Sequence, residues 1–410
     1  MSRRRLAIGL AAVAAGAGWA VAAWLLWGTR VPGDLHLPHL RPSEYFPPEQ
    51  LQRAAHYQRF LRIDWVLSQL ALLGALAVYA VRGAGFARQS AAGRIGTGML
   101  LGMLGFALVW LAQLPFGLAS LWWQRRYGIS HAGYVQWIVE GWLGLGGLFL
   151  FLCLALLIVM GLARPLPRAW PVVGAPVFVG LAFLVGFLQP YLLPSTHAVH
   201  RGPLVADVRE LAPKEGIEPP PVAVENVHGD TSAPNAEATG FGPSRRVIVW
   251  DTLLDGRFSA REIRFVLAHE LGHLARNHLW KGLAWYALFA LPGAALIAAA
   301  TRRRGGMAEP AAVPVALLVL VVIGLAAQPL QARITRHIES EADWMALQTT
   351  RDPGAGLSLF RRFGMTALDQ PDPPLWDYLL LEDHPTLMQR LAMAEAWRSR
   401  YATLVRPSGS

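Results

Sequence analysis

The chain has 410 residues, of which 54% are hydrophobic and only 16% charged, against roughly a quarter charged in an ordinary globular domain. Asp, Glu, Lys and Arg are absent from seven stretches: 6–29, 65–81, 95–124, 141–163, 169–200, 282–301 and 310–332. Each reaches the ~17 residues that suffice to cross a bilayer core, so the sequence predicts a polytopic membrane protein with about seven helices. Disorder, collagen and a small disulfide scaffold are excluded. The formal charge of +10 does not point to nucleic acid, because the arginines flank apolar spans and form no basic stripe. The single cysteine, Cys153, excludes an intramolecular disulfide and any cysteine-rich metal site.

In chain order, the apolar run Leu6–Trp27 is longer than a signal-peptide core and reads as a retained first helix. Pro115, Pro190 and Pro194 are expected to end helices inside the two longest stretches. Residues 1–200 thus hold helices one to five with their loops. A first polar block, 201–281, opens with a short helix at Pro203–Gly216. Strand-like segments follow at Val222–Val227, Ala236–Phe241 and Arg246–Trp250, separated by Gly and Pro. Ser259-Ala-Arg-Glu262 is a capping box that opens a helix expected to run to about His278. Residues 282–332 hold helices six and seven. The last continues without Gly or Pro after Pro329 into Gln331–Thr350, so it is expected to project out of the membrane. The second polar block, 333–410, ends in a helical pattern, Pro385–Leu404.

The capped helix carries His269-Glu270-Leu271-Gly272-His273. Residues four apart share a helix face, so both imidazoles can meet one metal ion. Glu270 lies beside them, placed to take a proton from an attacking water. A catalytic zinc needs three protein ligands and an open position, and no third His follows in the extended pattern. The projecting helix offers Glu339 and Asp343, four apart on one face. Glu339 is assigned as third ligand and Asp343 as the carboxylate that orients a liganding imidazole. Glu341, about 200° round the helix from Glu339, is the alternative ligand. His278, five residues past His273, reads as structural. The two polar blocks are therefore expected to form one zincin-like metalloprotease domain with a small β-sheet, in a mainly α chain binding one Zn2+.

Together these motifs resemble the type I CAAX prenyl proteases, integral-membrane zinc endopeptidases with seven helices. The resemblance rests on Asn235–Gly242 with Val247–Leu254, on His269–His273 with Asn277-His278, on Arg336–Asp343 and on Asp383–Arg390. The family's Asn-Ala-Tyr is here Asn235-Ala-Glu, and its Ser-His-Pro is Asp383-His-Pro. The resemblance implies zinc on His269, His273 and Glu339, with Glu270 as general base. It also implies that Asn235 and His384 face the substrate backbone and that Arg390 holds the His384 segment. Strand addition through Asn235, Ala236 and Gly240 would suit an extended peptide, and His384 would suit a developing oxyanion. The implied substrates are peptides or proteins, lipid-modified C-termini of isoprenylated proteins among them, met at a membrane lipid surface.

Two other readings of the same residues are a membrane-protein quality-control protease without prenyl specificity, and a seven-span transporter or receptor whose zinc is structural. Arg3–Arg5, Arg82, Arg88, Arg94, Arg164, Arg168 and Arg302–Arg304 fall on alternate connections. By the positive-inside rule these face the cytoplasm of a plasma or inner membrane, which puts both polar blocks on the other side. The eukaryotic members of the resembling family have the opposite arrangement.

Overall fold

The structure, a computed structural model, describes residues 3–89, 92–193 and 195–401, without side chains for 3–12, 87–89 and 143. The chain begins with helix α1 (Arg3–Leu26), a single turn α2 (Pro42–Tyr45), and then four long helices: α3 (Pro48–Arg82), α4 (Gly93–Tyr127), α5 (Tyr134–Ala163) and α6 (Trp170–Leu192). Strand β1 (Thr196–Val199), helix α7 (Pro203–Leu211), and strands β2 (Val222–Glu225), β3 (Ala236–Thr239) and β4 (Arg246–Trp250) follow. The second half runs through α8 (Ala260–Ala275), α9 (His278–Thr301), α10 (Val313–Thr350), α11 (Pro353–Thr366), α12 (Leu375–Leu380) and α13 (Leu387–Arg400).

Among the described residues six helices, α3, α4, α5, α6, α9 and α10, are long and apolar enough to cross a membrane. Of the first expected span, the described apolar piece is Val13–Leu26. The six pack in sequence around a closed ring: α9 on α10, α10 on α3, α3 on α4, α4 on α5, α5 on α6 and α6 back on α9. Helix α1 leans on the outside of α9, where the Trp19 indole donates to the Leu288 carbonyl at 3.0 Å. Large apolar side chains such as Leu70, Leu150, Val172 and Leu296 stand exposed along these helices, as expected of surfaces solvated by lipid rather than water.

Two prolines depart from the sequence reading. Pro115 lies inside α4 and Pro190 in the last turn of α6, and neither ends its helix; Pro194 lies outside the described residues. A membrane helix tolerates the lost N–H because neighbouring helices and local adjustments satisfy the freed carbonyl. The charge-free stretch 169–200 is also not all helix, since Thr196–Val199 is a strand.

The sheet order is β1-β2-β4-β3, with β2 and β4 parallel and the outer pairs antiparallel. Val222, Val247 and Val249 face a core shared with Val208 and Leu211 of α7 and with Phe265 and Val266 of α8. Both polar blocks contribute to that core, which also holds Trp344, Phe360, Leu391 and Trp397. At the opposite end of the bundle, Arg94 pairs with Glu309 at 2.8 Å, and Met160, Trp170, Met307 and Val313 form a second core. The arginine-bearing connections thus gather at one end. From Val313 there to Glu339, α10 rises about 39 Å at 1.5 Å per residue, so the charged connections and the polar blocks lie on opposite sides of the membrane-sized ring.

Candidate metal centre

Helix α8 starts where the sequence places it. Ser259 accepts from the Glu262 N–H at 3.4 Å while Glu262 accepts from the Ser259 N–H at 2.7 Å. The helix lies against α10, and Gly272 sets how close the two come. A Cβ at Gly272 would stand 3.0 Å from the Cβ of Met345 and 3.6 Å from the Ala342 backbone. That close approach brings the His269–His273 face of α8 onto the Glu339–Asp343 face of α10.

His269, His273 and Glu339 converge there as a group able to hold a metal ion. The His269 and His273 Nε2 atoms are 3.1 Å apart. Glu339 lies 3.1 Å from His269 Nε2 through Oε2 and 3.5 Å from His273 Nε2 through Oε1. Tetrahedral zinc with bonds of about 2.0–2.1 Å separates its ligand atoms by about 3.3–3.4 Å, so the donor set and its spacing fit that ion. The electrostatics agree. Burial disfavours a charged His269, yet the carboxylates of Asp343 and Glu339 outweigh it and raise the imidazole to about 9. The pocket favours positive charge.

Each imidazole is held from behind by a different device. His269 Nδ1 lies 2.9 Å from Asp343 Oδ1, and Arg390 clamps the same carboxylate through Nε at 2.8 Å and Nη2 at 2.6 Å. An ionised carboxylate only accepts, so His269 Nδ1 carries a proton, and Nε2 is the nitrogen that would give its lone pair to a bound ion. Arg390, expected to hold the His384 segment, also fixes Asp343.

The support behind His273 escapes a sequence reading. Helix α8 ends at Ala275 rather than near His278, and Asn277 takes the left-handed conformation at φ 53° before α9 begins. This corner turns His278 back, bringing its Nδ1 to 2.9 Å from His273 Nδ1 and its Nε2 to 3.0 Å from Glu341 Oε2. With Glu341 as acceptor, His278 Nε2 donates to it, His278 Nδ1 accepts from His273 Nδ1–H, and His273 Nε2 is left free for the ion. Glu341 also receives the Arg276 Nε at 2.7 Å, the Lys281 Nζ at 2.9 Å and the Arg30 N–H at 2.9 Å. It faces away from the donor group, which removes it as the alternative ligand.

Glu270 is 6% exposed and sits on α8 where that helix packs against β3. Burial raises its carboxyl and the two liganding imidazoles oppose the rise. His384 reaches the same place from the far side, its Nε2 3.2 Å from Glu339 Oε2 and its Nδ1 2.7 Å from Asp383 Oδ1. Partial burial works against its charge, but Asp383 and Glu339 raise it to about 10. Asn235 is exposed at the entry to β3 and its carbonyl accepts from the Trp250 N–H at 3.0 Å. Ala236 lies on the outer edge of that strand. Gly240, expected at the substrate, is instead buried in the turn that ends β3. Its φ is +86° and a Cβ there would meet the Ser244 carbonyl at 2.4 Å.

Comparison with known proteins points to metalloproteases. Residues 200–398 match the family model for Peptidase family M48. A Bacillus subtilis protein named "Uncharacterized metalloprotease YhfN" is 27% identical over 70% of this chain and 70% of its own length. The "Protease HtpX homolog" of Methylibium petroleiphilum is 32% identical over 45% of this chain, which spans 62% of that relative. Among solved structures, Saccharomyces mikatae Ste24p superposes with a TM-score of 0.71 over 93% of this chain and 96% of that one, at 19% identity. That likeness carries the fold.

Proposed function

We propose that this chain, a membrane metalloprotease of peptidase family M48, hydrolyses peptide bonds with zinc held by His269, His273 and Glu339 and with Glu270 as general base. The observation that carries the reading is the meeting of four things at one point: three metal donors, a buried carboxylate, a second acid–base group and the open edge of β3. A structural zinc site, as in a transporter, would have no use for Glu270 and His384 there.

When bound, zinc supplies Lewis acidity toward water and the scissile carbonyl. The protein's own groups do the rest. The outer edge of β3 pairs with an extended substrate main chain, so Asn235 and Ala236 set its register. Glu270 takes the proton of the attacking water and delivers one to the leaving amine. His384, protonated between Asp383 and Glu339, donates to the oxyanion as it forms. Asp343 with Arg390, and His278 with Glu341, keep both imidazoles in the tautomer that presents Nε2. No covalent intermediate is needed.

In its finer form the proposal assigns C-terminal processing of isoprenylated proteins, supported by the prenyl-protease resemblance and by the ring of apolar helices beside the site. The test is cleavage by purified, zinc-loaded protein of a farnesylated peptide and its unlipidated twin. Glu270→Gln should retain zinc and lose turnover on both. Undiminished cleavage by that variant refutes the role of Glu270, and equal cleavage of the twins refutes the prenyl requirement.

A further inference from the structure

Strand β3 has one paired and one open edge. The Trp250 N–H donates to the Asn235 carbonyl at 3.0 Å, so antiparallel alternation turns the main-chain groups of Asn235, Glu237 and Thr239 toward β4. Those of Ala236 and Ala238 turn to the open edge. Side chains alternate the other way. Ala236 and Ala238 pack on the core, while Glu237 and Thr239 face the opposite side, toward α6.

On that side Gln189 Nε2 donates to Glu237 Oε1 at 3.3 Å, and the Thr239 hydroxyl donates to Gln189 Oε1. Two other charged groups share the face. Glu225 accepts from the Ser195 hydroxyl at 3.0 Å. Arg246 is committed to the Ser244 and Pro190 carbonyls and lies over the Tyr191 ring at 4.5 Å. Among the described residues Glu237 forms no salt bridge, and its second carboxylate oxygen has no hydrogen bond. Burial raises its carboxyl, Gln189 opposes the rise, and Glu225 adds to it. A cation arriving here would relieve the cost of a half-buried anion.

We propose that Glu237 is a specificity-determining residue that selects a lysine or arginine side chain in the substrate, at the position facing it across the open edge of β3. This rests on the peptidase reading above. A peptide added antiparallel to that edge bonds to Ala236, so its residue opposite Glu237 falls in a non-hydrogen-bonded pair. In such pairs the Cα atoms are about 4.5 Å apart and the side chains are closest. Opposite charges so placed attract and like charges repel, and the two effects together amount to about a tenfold preference for Lys over Glu.

The test uses zinc-loaded, detergent-solubilised full chain and one cleavable peptide carrying Lys, Gln or Glu at each position flanking the scissile bond. The readout is the Lys-to-Glu ratio of kcat/KM within each protein, in which any loss of folded enzyme cancels. Wild type should show a ratio of about ten at one position, lowered by salt. Glu237→Gln should bring the ratio near one, and Glu237→Lys should invert it. A ratio unchanged among the three proteins, with cleavage still abolished by Glu270→Gln, overturns this proposal alone. Cleavage that persists in Glu270→Gln, or no cleavage by wild type, overturns the peptidase reading and this proposal with it.

Discussion

Substituting Glu341 with Gln separates a structural carboxylate from a metal ligand. Glu341 is 1% exposed and accepts from four donors on three segments: the Arg30 N–H, Arg276 Nε, His278 Nε2 and Lys281 Nζ, all between 2.7 and 3.0 Å. The amide keeps the shape but loses the charge and turns an NH2 toward some of those donors. Removing one partner of a buried ionic cluster costs about 3–5 kcal/mol. The Arg276 and Lys281 side chains are 26% and 17% exposed and can partly rehydrate, so the lower end, about 3 kcal/mol, is expected. With an unfolding entropy of about 2.1 cal/mol/K per residue over the 410-residue chain, that lowers Tm by about 3–4 °C. The assay is thermal unfolding of the solubilised full chain, with zinc per chain measured in parallel. Glu341→Gln should melt early yet still fill with zinc when zinc is in excess, whereas Glu339→Gln should fail to fill. An unchanged Tm, or loss of zinc as complete as in Glu339→Gln, refutes the assignment and returns Glu341 to the ligand set.

His278→Ala removes the group that orients His273, so zinc affinity should fall about 10–100-fold; competition with a chelator measures it, and an unchanged affinity refutes the relay. Burial raises the Glu215 carboxyl to about 8, against the influence of Thr349 and His269. A raised acid keeps its proton longer in the native state than in the unfolded chain. Stability is therefore lost as pH climbs from about 4.5 to about 8 and is unaffected below. Glu215→Gln should match wild type in Tm near pH 4 and exceed it above pH 8; a difference independent of pH would contradict this.

The parts of the site that were legible in sequence are those fixed by helical periodicity within one element. His269 and His273, and Glu339 and Asp343, are pairs four apart, and that spacing alone puts each pair on one face. Asp343 Oδ1 lies 2.9 Å from His269 Nδ1. What sequence did not reveal depends on chain reversals. His278 reads as structural in the sequence, but its contact with His273 is not visible there, because the reading carries α8 straight on to it. The left-handed Asn277 breaks the helix and folds His278 back. Arg390 shows a related limit, since it lies on α13 and only packing between α13 and α10 reveals Asp343 as its partner.

The fold divides the same way. Strands β2, β3 and β4 lie within the segments their turn residues delimit, the capping box at Ser259 opens α8, and α13 lies within the helical pattern Pro385–Leu404. Strand β1 was hidden because Thr196–Val199 lacks charge and follows directly on an apolar span, where hydropathy alone cannot mark the change from helix to strand. The second core at the far end of the ring was equally hidden, because it joins buried residues from four helices and the α9–α10 connection.

One helix explains why the two polar blocks work as one site. Three carboxylates at alternate positions of α10 serve three different groups: Glu339 the metal donors, Glu341 the His278 support and Asp343 the His269 support. Alternate residues on a helix point about 200° apart, so the neighbours of α10 must wrap round it to meet all three. They do so because Asn277 breaks α8 from α9, letting α8 cover the Glu339 side and the start of α9 cover the Glu341 side. Helices α9 and α10 then continue into the ring. A shift of α9 along α10 within the membrane would therefore move His278 and Glu341 relative to each other, and with them the ring of His273. Packing among the apolar helices and the geometry of the metal centre are, on this argument, one property of the α9–α10 pair.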